Sequence, residues 1–347
     1  MNMLKDWKRF CANNPKVVKR RIRKGIPDSL RGRVWFLLLS SDVCADIYYQ
    51  RYKTLAEIPP DPTDETMREG GVIDRDIGRT FPEHAHFCKA KGAGQDSLSR
   101  VLRAFANSDT TVRYTQSMNY IAAYLLNYMT EEKAYLCYCQ LLWMPPYNMM
   151  NYFCDGIGEL HIALYKMQRL LKRHLPKLYK FLLEQDILQN MFAISSWFMC
   201  IYCQNFDPKL VVRIWDIFFA EGWPIVFQVA LALFQSIQGF GCYGDLFVDE
   251  IMTLTSDEIL VLIQHGSLSF DYNDRWITNL TPDELIKKAL KFNVTEKDLE
   301  KYHKEYTRRE LKRKNLANYS VCFTTSNGYS ARRKCRMRDC ERVFGKL

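Results

Sequence analysis

Apolar residues recur along this chain at helical spacing, three or four positions apart. Three such stripes run through residues 30–38, 98–105 and 118–126, and each places its apolar side chains on one face of a helix. Alternation of apolar and polar positions, which would indicate strands, is almost absent. The pattern therefore predicts an all-α fold.

Helix-start signals support the same fold class. Asp207 and Thr281 each precede a proline, the arrangement of a capping residue followed by proline at the first helical position. Thr295 with Asp298 predicts a capped, charge-rich helix that continues to about Asn315. Polar caps at these positions indicate that helices follow one another through the second half of the chain.

Glycine and proline mark the predicted loops. Residues 57–71 contain three prolines and two glycines and are predicted to form a surface loop. The glycines of segments 91–94 and 239–244 predict two further breaks. Residues 319–347 lack a periodic apolar face and are predicted to be irregular.

Charge is distributed unevenly along the chain. Of 49 Lys and Arg and 39 Asp and Glu, residues 301–347 hold 14 and 4, so residues 1–300 carry 35 of each. A second basic concentration lies in residues 16–24. Basic ends on a neutral body favour contact with an anionic membrane surface or an acidic partner over a nucleic-acid-binding body. Nucleic-acid binding through residues 332–338 is a weaker alternative, and a plain solvated tail is the simplest interpretation.

The twelve cysteines predict neither a disulfide framework nor a metal site. Cys200 and Cys203 form a single CxxC in an apolar run, with no second pair to complete a zinc site. His84, His86 and Cys88 lie close together, but no fourth ligand follows nearby. Buried free thiols, no secretory signal and no apolar stretch of about 20 residues together predict a cytoplasmic protein.

Signatures of ordinary enzymes are absent, but two short segments stand out. The first contains Ile73, Asp76 and Arg79 at intervals of three residues. On a helix, Asp76 can then reach and orient Arg79. Gly78 and Pro82 would end that helix close by and leave the arginine exposed. The alternative is an arginine that merely complements the helix dipole.

The second segment enters the apolar stripe that begins near Met118. It places Gln116 in the loop or the first helical turn, where the amide side chain can point outward. Taken alone, Gln116 is an ordinary solvated glutamine at a helix start.

Together the two segments resemble the catalytic fingers of TBC domains, the Rab GTPase-activating family. Ile-x-x-Asp-x-x-Arg is followed about 37 residues later by Tyr-x-Gln. Further landmarks occur in the family's order: Gly25-Ile26-Pro27, Leu30-Arg31-Gly32, Trp35, Ser196-Trp197-Phe198, Arg213-Ile214-Trp215-Asp216 and Gly222. The resemblance covers about residues 20–240 and implies an all-α, two-lobed fold with a groove for the GTPase.

The resemblance also implies a division of the chain. A basic N-terminal lead would cover residues 1–19, and the TBC Rab-GAP domain, with both fingers in its N-terminal lobe, residues 20–265. C-terminal helices would follow at 266–318, and a basic, flexible tail at 319–347.

The resemblance implies a role for each residue of the two segments. Arg79 would be the finger that stabilises charge on the transferring phosphoryl group, and Gln116 would orient the attacking water. Asp76 would position the arginine, Tyr114 would anchor the glutamine loop, and Ile73 would pack the finger helix on the core. The protein would activate a Rab-family GTPase in vesicle trafficking, peripherally on endomembranes. It would have no active site or cofactor of its own, since GTP and Mg²⁺ belong to the GTPase.

One departure concerns the glycines that usually flank Tyr-x-Gln in this family. Arg113 and Ser117 occupy those positions here, and with Asn119 they are predicted to contact the partner. Because glycine allows left-handed backbone angles and close approach, its absence predicts a reshaped loop or an altered GTPase preference. The second hypothesis is therefore a TBC module that binds a GTPase or scaffold without accelerating hydrolysis.

Overall fold

The part of the chain that the structure describes folds into α-helices and two short 3-10 helices. The computed structural model describes residues 7–40, 45–108, 112–154, 156–238, 256–265 and 280–321. The helices of the first half are α1 (Trp7–Asn13), α2 (Pro15–Lys24), α3 (Asp28–Ser40), α4 (Ala45–Ala56), α5 (Val72–Gly78), α6 (Ala93–Ser108), α7 (Met118–Leu126) and α8 (Glu131–Trp143). Those of the second half are α9 (Gly158–His174), α10 (Pro176–Glu184), α11 (Ser195–Met199), α12 (Pro208–Glu221), α13 (Pro224–Gln238), α14 (Ser256–His265), α15 (Pro282–Ala289) and α16 (Glu296–Val321). The 3-10 helices are Met149–Tyr152 and Ile187–Ile194. None of these described residues lies in a β-strand, which confirms the all-α prediction.

The predicted caps begin their helices. The Asp207 side chain accepts a hydrogen bond from the Lys209 amide at 2.6 Å at the start of α12. Thr281 forms a capping box at the start of α15. The Thr295 amide donates to the Asp298 carboxylate at 3.0 Å, and α16 then continues past the predicted end near Asn315. Side-chain acceptors thus satisfy backbone amides that would otherwise lack partners.

Two loop predictions were wrong in part. The glycines of segment 91–94 were predicted to break the chain, but α6 begins at Ala93 and includes Gly94. A Cβ atom at Gly94 would lie 1.9 Å from the His86 carbonyl oxygen, so this glycine permits a close approach inside a helix. Residues 319–321 were predicted to be irregular, yet they belong to α16. Segment 239–244 and residues 322–347 lie outside the described residues.

The helices pack in two groups, which confirms the two-lobed prediction. Helices α4 to α8 contact one another, and α3 joins this group through α8. Helices α9 to α13 and α15 form the second group, with α16 on α9, and α2 and α3 pack against α12. The division of the chain into 1–19, 20–265, 266–318 and 319–347 remains a prediction.

A buried carboxylate joins the two groups. Asp216 of α12 is fully buried and accepts hydrogen bonds from the Ile26 amide at 3.0 Å and from Trp35 Nε1 at 2.8 Å. Arg31 Nε donates to the same carboxylate at 3.2 Å, and its Nη2 donates to the Ile26 carbonyl at 2.6 Å. Burial raises the pKa of Asp216, and the donors and the guanidinium oppose that rise. These hydrogen bonds from Ile26, Arg31 and Trp35 to Asp216 therefore hold the fold together.

The cysteines behave as core residues. Cys200 and Cys203 are buried free thiols, as predicted. Burial raises the pKa of the Cys200 thiol to about 12, so it is protonated and unreactive at neutral pH. Within the described ranges, no group of three or more His, Cys, Asp or Glu side chains is placed to hold a metal ion. None of the described helices has both the length and the apolar character needed to cross a bilayer.

Candidate functional site

The predicted arginine lies where α5 ends. Gly78 is the last residue of α5, and Arg79 caps it with an exposed side chain, 55% accessible. Its Nη2 donates to Asp76 Oδ1 at 2.5 Å, three residues earlier. Asp76 is only 2% exposed, so a buried carboxylate holds one edge of an exposed guanidinium. The predicted contact between these two residues is present.

Helix α5, which carries the predicted finger at its end, is short and is held by its apolar face. Ile73 and Ile77 are buried in the core, where α5 packs against α6 and α7. After Arg79 the chain turns sharply, and Thr80 Oγ1 donates to the Asp76 carbonyl at 2.6 Å. A helix of two turns has little stability of its own, so this packing fixes the position of Arg79.

The predicted glutamine lies in the loop before α7. Gln116 is exposed, and its side chain forms no hydrogen bond with any residue the structure describes. Arg113 has φ +59° and Ser117 has φ +86°, the left-handed region that glycine adopts most easily. The absence of glycine has therefore not removed this backbone conformation on either side of Gln116.

Two chains of hydrogen bonds join the arginine turn to the glutamine loop. In the first, the Tyr114 hydroxyl donates to Asp76 Oδ2 at 2.5 Å. In the second, Asn119 Nδ2 donates to Thr80 Oγ1 at 2.7 Å, and Asn119 Oδ1 accepts from the Ser117 amide at 3.1 Å. The bonds that cross between the two segments, from Tyr114 to Asp76 and from Asn119 to Thr80, are buried, where hydrogen bonds are strong and an unpaired group is costly. The two exposed side chains therefore project from one joined unit.

Asn119 lies differently from the prediction. It was predicted to contact the partner, but it is 1% exposed and bridges Thr80 and Ser117. Arg113 and Ser117 remain at least partly accessible. Thr80 and Asp64 also belong to the site and were not predicted from the sequence. The Asp64 carboxylate forms an ion pair with Arg113. The only signal for Thr80 was its position directly after Arg79, and none distinguished Asp64 among the carboxylates of its loop.

The electrostatics of the site keep its donors protonated. Burial, followed by the hydrogen bond to Asp76, raises the pKa of Tyr114 well above its usual value. The phenol is therefore a hydrogen-bond donor at any physiological pH. The arrangement presents an exposed guanidinium, which can contact the oxygens of an anion, and on the adjoining loop a neutral amide, which both donates and accepts.

Comparisons with known proteins match this chain to one domain family. The Rab-GTPase-TBC domain model matches residues 28–239. The human ecotropic viral integration site 5 protein homolog is 32% identical over 305 residues, 88% of this chain and 34% of that protein. The Caenorhabditis elegans Rab GTPase-activating protein tbc-11 is 30% identical over 321 residues, 90% of this chain and 31% of that protein. This chain thus spans about a third of the length of both relatives.

A solved structure shares the fold. The TBC domain of the Chlamydomonas flagellar RabGAP superposes with a TM-score of 0.57 at 24% identity. The match covers 79% of this chain and 83% of that one.

Proposed function

The chain belongs to the Rab-GTPase-TBC domain family, and from that premise we propose that it is a GTPase-activating protein for a Rab-family small GTPase. It supplies Arg79 and Gln116 in trans to the nucleotide site of the GTPase, which itself holds GTP and Mg²⁺. The observation that carries the proposal is the pair of exposed side chains on two loops that buried hydrogen bonds tie together. A relative named as a Rab GTPase-activating protein supports the same activity.

The two side chains suit the two needs of GTP hydrolysis. Charge spreads over the oxygens of the γ-phosphoryl group in the transition state, and a planar guanidinium can contact two of them at once. An arginine supplied in this way accelerates hydrolysis by about 10³–10⁵. The attacking water must be held in line, and the Gln116 amide can accept from that water while donating to a second acceptor.

The buried residues position the fingers. Asp76 binds Nη2 of Arg79 and the Tyr114 hydroxyl, so one carboxylate fixes the guanidinium and the backbone two residues before Gln116. Side chains held in this way lose little further freedom when the GTPase binds, which is how pre-organisation increases rate.

Phosphate release from a panel of GTP-loaded Rab proteins tests the proposal. We expect the wild-type chain to stimulate one or a few of them, and Arg79→Ala and Gln116→Ala to abolish the stimulation. Arg308→Ala and Gln50→Ala are matched controls, since both replace exposed residues of the same type on α16 and α4. Full stimulation of a matched Rab by Arg79→Ala would refute the proposed mechanism.

The second candidate is a TBC module that binds a GTPase or scaffold without accelerating hydrolysis. Arg113 favours it, because a long charged side chain lies beside Gln116 where family members usually have glycine. The module predicts that immobilised protein retains a GTP-loaded Rab while phosphate release stays at the intrinsic rate. The same panel therefore separates the two candidates.

We also propose that the basic N-terminal part contacts an anionic membrane surface. Five of the six lysines and arginines of α2 line an open hollow of about 720 Å³, together with Arg213 and Lys287. Asp283 is the one carboxylate among the residues that line it. Basic residues near an anionic leaflet contribute about 1 kcal/mol each, so the hollow would assist recruitment to the membrane that carries the GTPase.

Co-sedimentation with vesicles tests this contact. Phosphatidylcholine vesicles with phosphatidylserine are expected to bind the full chain, and vesicles of phosphatidylcholine alone are not. The variant Arg20→Ala/Lys24→Ala/Lys287→Ala should bind less, whereas Lys177→Ala/Lys209→Ala/Lys312→Ala removes three exposed charges outside the hollow and should not. Comparing the full chain with one that lacks residues 319–347 shows how much of the vesicle binding is due to the basic tail. Equal loss in both triple variants would refute a role for the hollow.

A further inference from the structure

Arg113 adopts a left-handed backbone conformation, which is sterically unfavourable for a residue with a Cβ atom. Only a few per cent of non-glycine residues adopt positive φ, with Asn, Asp and His enriched among them, and Arg113 has φ +59°. Such conformations persist where surrounding contacts hold them, and they concentrate at functional sites. Ser117, the other left-handed residue of this loop, is held by Asn119 and by the Cys200 thiol, which donates to its carbonyl at 3.7 Å.

The contact that holds the Arg113 side chain is its ion pair with Asp64. The two oxygens of Asp64 have separate partners. Oδ1 accepts from the Thr66 amide at 2.9 Å and caps a turn, while Oδ2 accepts from Arg113 Nη1. The Asp64 side chain is 13% exposed and that of Arg113 is 46% exposed, so the pair is partly protected from solvent.

The turn that carries Asp64 is fastened to the finger helix. The loop of residues 57–71 ends where α5 begins, and its carbonyls cap that helix. The Val72 amide donates to the Glu65 carbonyl at 3.1 Å, and the Ile73 amide donates to the Thr66 carbonyl at 3.3 Å. Since Thr66 is also the residue whose amide Asp64 binds, the ion pair connects the glutamine loop to the first turn of α5.

We propose that Arg113 is a positioning residue for Gln116, and that its ion pair with Asp64 holds the glutamine loop against the loop of residues 57–71. The proposal rests on the proposed function, because Gln116 must act on a GTPase for its position to matter. The ion pair is a third tie between the two fingers, beside those made by Tyr114 and Asn119. The ion pair holds Arg113 in the left-handed backbone conformation that glycine would adopt without such a contact.

Kinetics of hydrolysis of a matched Rab test the ion pair. Arg113→Ala keeps the disfavoured φ without the tie, and Asp64→Asn keeps an acceptor for the Thr66 amide while removing the charge. Each is expected to lower kcat about 1.5-fold to fivefold, the range for an exposed or partly exposed pair, with KM nearly unchanged. The double variant should be no slower than either single variant, and Arg113→Lys should recover part of kcat.

Two further variants separate the tie from other roles. Arg113→Gly is expected to be faster than Arg113→Ala, since glycine adopts the left-handed conformation freely. Arg68→Ala is the control, because Arg68 lies in the same loop and pairs with Glu65 instead. Additive effects of Arg113→Ala and Asp64→Asn would overturn the proposal. A raised KM with unchanged kcat would also overturn it, since Arg113 would then contact the GTPase directly.

Hydrogen exchange of the free protein tests the tie without a GTPase. Peptides covering residues 112–117 are expected to exchange faster in Arg113→Ala and Asp64→Asn than in wild type or Arg68→Ala. Unchanged exchange would overturn the proposal even if a Rab is activated. Faster exchange in a chain that activates no Rab would keep the tie and refute the activator function, so the two failures are distinguishable.

Discussion

Replacing Tyr114 by phenylalanine removes one hydroxyl from the centre of the joined unit. Tyr114 is buried, so the phenylalanine ring fits the same space and leaves no cavity beyond one oxygen atom. The hydroxyl donates to Asp76 Oδ2 at 2.5 Å, whereas Asp76 Oδ1 accepts from Arg79. The substitution therefore tests one hydrogen bond to a buried carboxylate and little else.

The magnitude follows from that burial. A hydrogen bond to a charged group contributes about 1.5–3 kcal/mol, and an unpaired buried acceptor incurs its desolvation cost in full. Because Asp76 is almost inaccessible to water, we expect Tyr114→Phe to lower the free energy of unfolding by about 2 kcal/mol. If about half of that energy holds the glutamine loop in its productive position, kcat for GTP hydrolysis falls about fivefold.

Urea denaturation and single-turnover phosphate release give the two measurements. Tyr306→Phe is the matched control, because its hydroxyl forms no hydrogen bond with a described residue and it lies on α16. It should change neither quantity. Arg79→Ala, measured beside them, should reduce the rate by about 10³–10⁵. The hydrolysis rate of Tyr114→Phe should therefore lie between that of Tyr306→Phe and that of Arg79→Ala.

Two results would refute this reasoning. An unchanged free energy of unfolding in Tyr114→Phe would mean that the hydrogen bond to Asp76 makes no net contribution to stability. A loss of about 2 kcal/mol with an unchanged kcat would mean that the bond stabilises the fold but does not position Gln116.

Three further predictions concern the fold. Trp35→Phe should lower the free energy of unfolding in urea by about 2 kcal/mol, because the buried Asp216 carboxylate loses the indole donor at 2.8 Å. Hydrogen bonding from Arg100, the largest cause, lowers the pKa of Glu131 to about 2. The ionised Glu131 therefore adds about 2 kcal/mol to the free energy of unfolding after allowance for solvent screening. This contribution is complete above the usual pKa near 4.5 and is lost as pH falls towards 2. In Glu131→Gln the free energy of unfolding, measured by urea denaturation, should therefore fall less between pH 5 and pH 2 than in wild type. Gly94→Ala should lower the melting temperature and reduce the free energy of unfolding by about 2–3 kcal/mol, since the new methyl group would lie 1.9 Å from the His86 carbonyl oxygen in the preceding loop.

Local features of the fold were predictable because they depend on near neighbours in sequence. The caps at Asp207 and Thr281 and the contact from Asp76 to Arg79 each span three residues or fewer. Gly94 was misread because glycine serves both to break helices and to permit close packing, and only the position of the neighbouring chain decides between them.

The hydrogen bonds that cross the site could not be predicted from the spacing of residues alone. Tyr114 and Asp76 are 38 residues apart in sequence, and only the resemblance to a family suggested an anchoring role for the tyrosine. Asn119 resembled a polar residue at an exposed helix start, and its burial depends on Thr80, 39 positions earlier. The missing glycines predicted a reshaped loop or an altered GTPase preference, whereas in the structure Arg113 keeps the left-handed backbone.

In the proposed mechanism, the ion pair between Arg79 and Asp76 does not have to break when Arg79 acts on the GTPase. Only Nη2 of the guanidinium binds Asp76, and the side chain is more than half exposed. A guanidinium carries five N–H groups in a fixed plane, so the groups away from Asp76 can still meet phosphoryl oxygens. The carboxylate then sets the orientation of that plane, and the energy of the pair is retained in the transition state rather than lost on reaching it. A lysine has one ammonium for both tasks, and its contact with Asp76 would compete with its contact with the phosphoryl group. The proposed finger role therefore accounts both for an arginine at position 79 and for the buried Asp76 one helical turn before it.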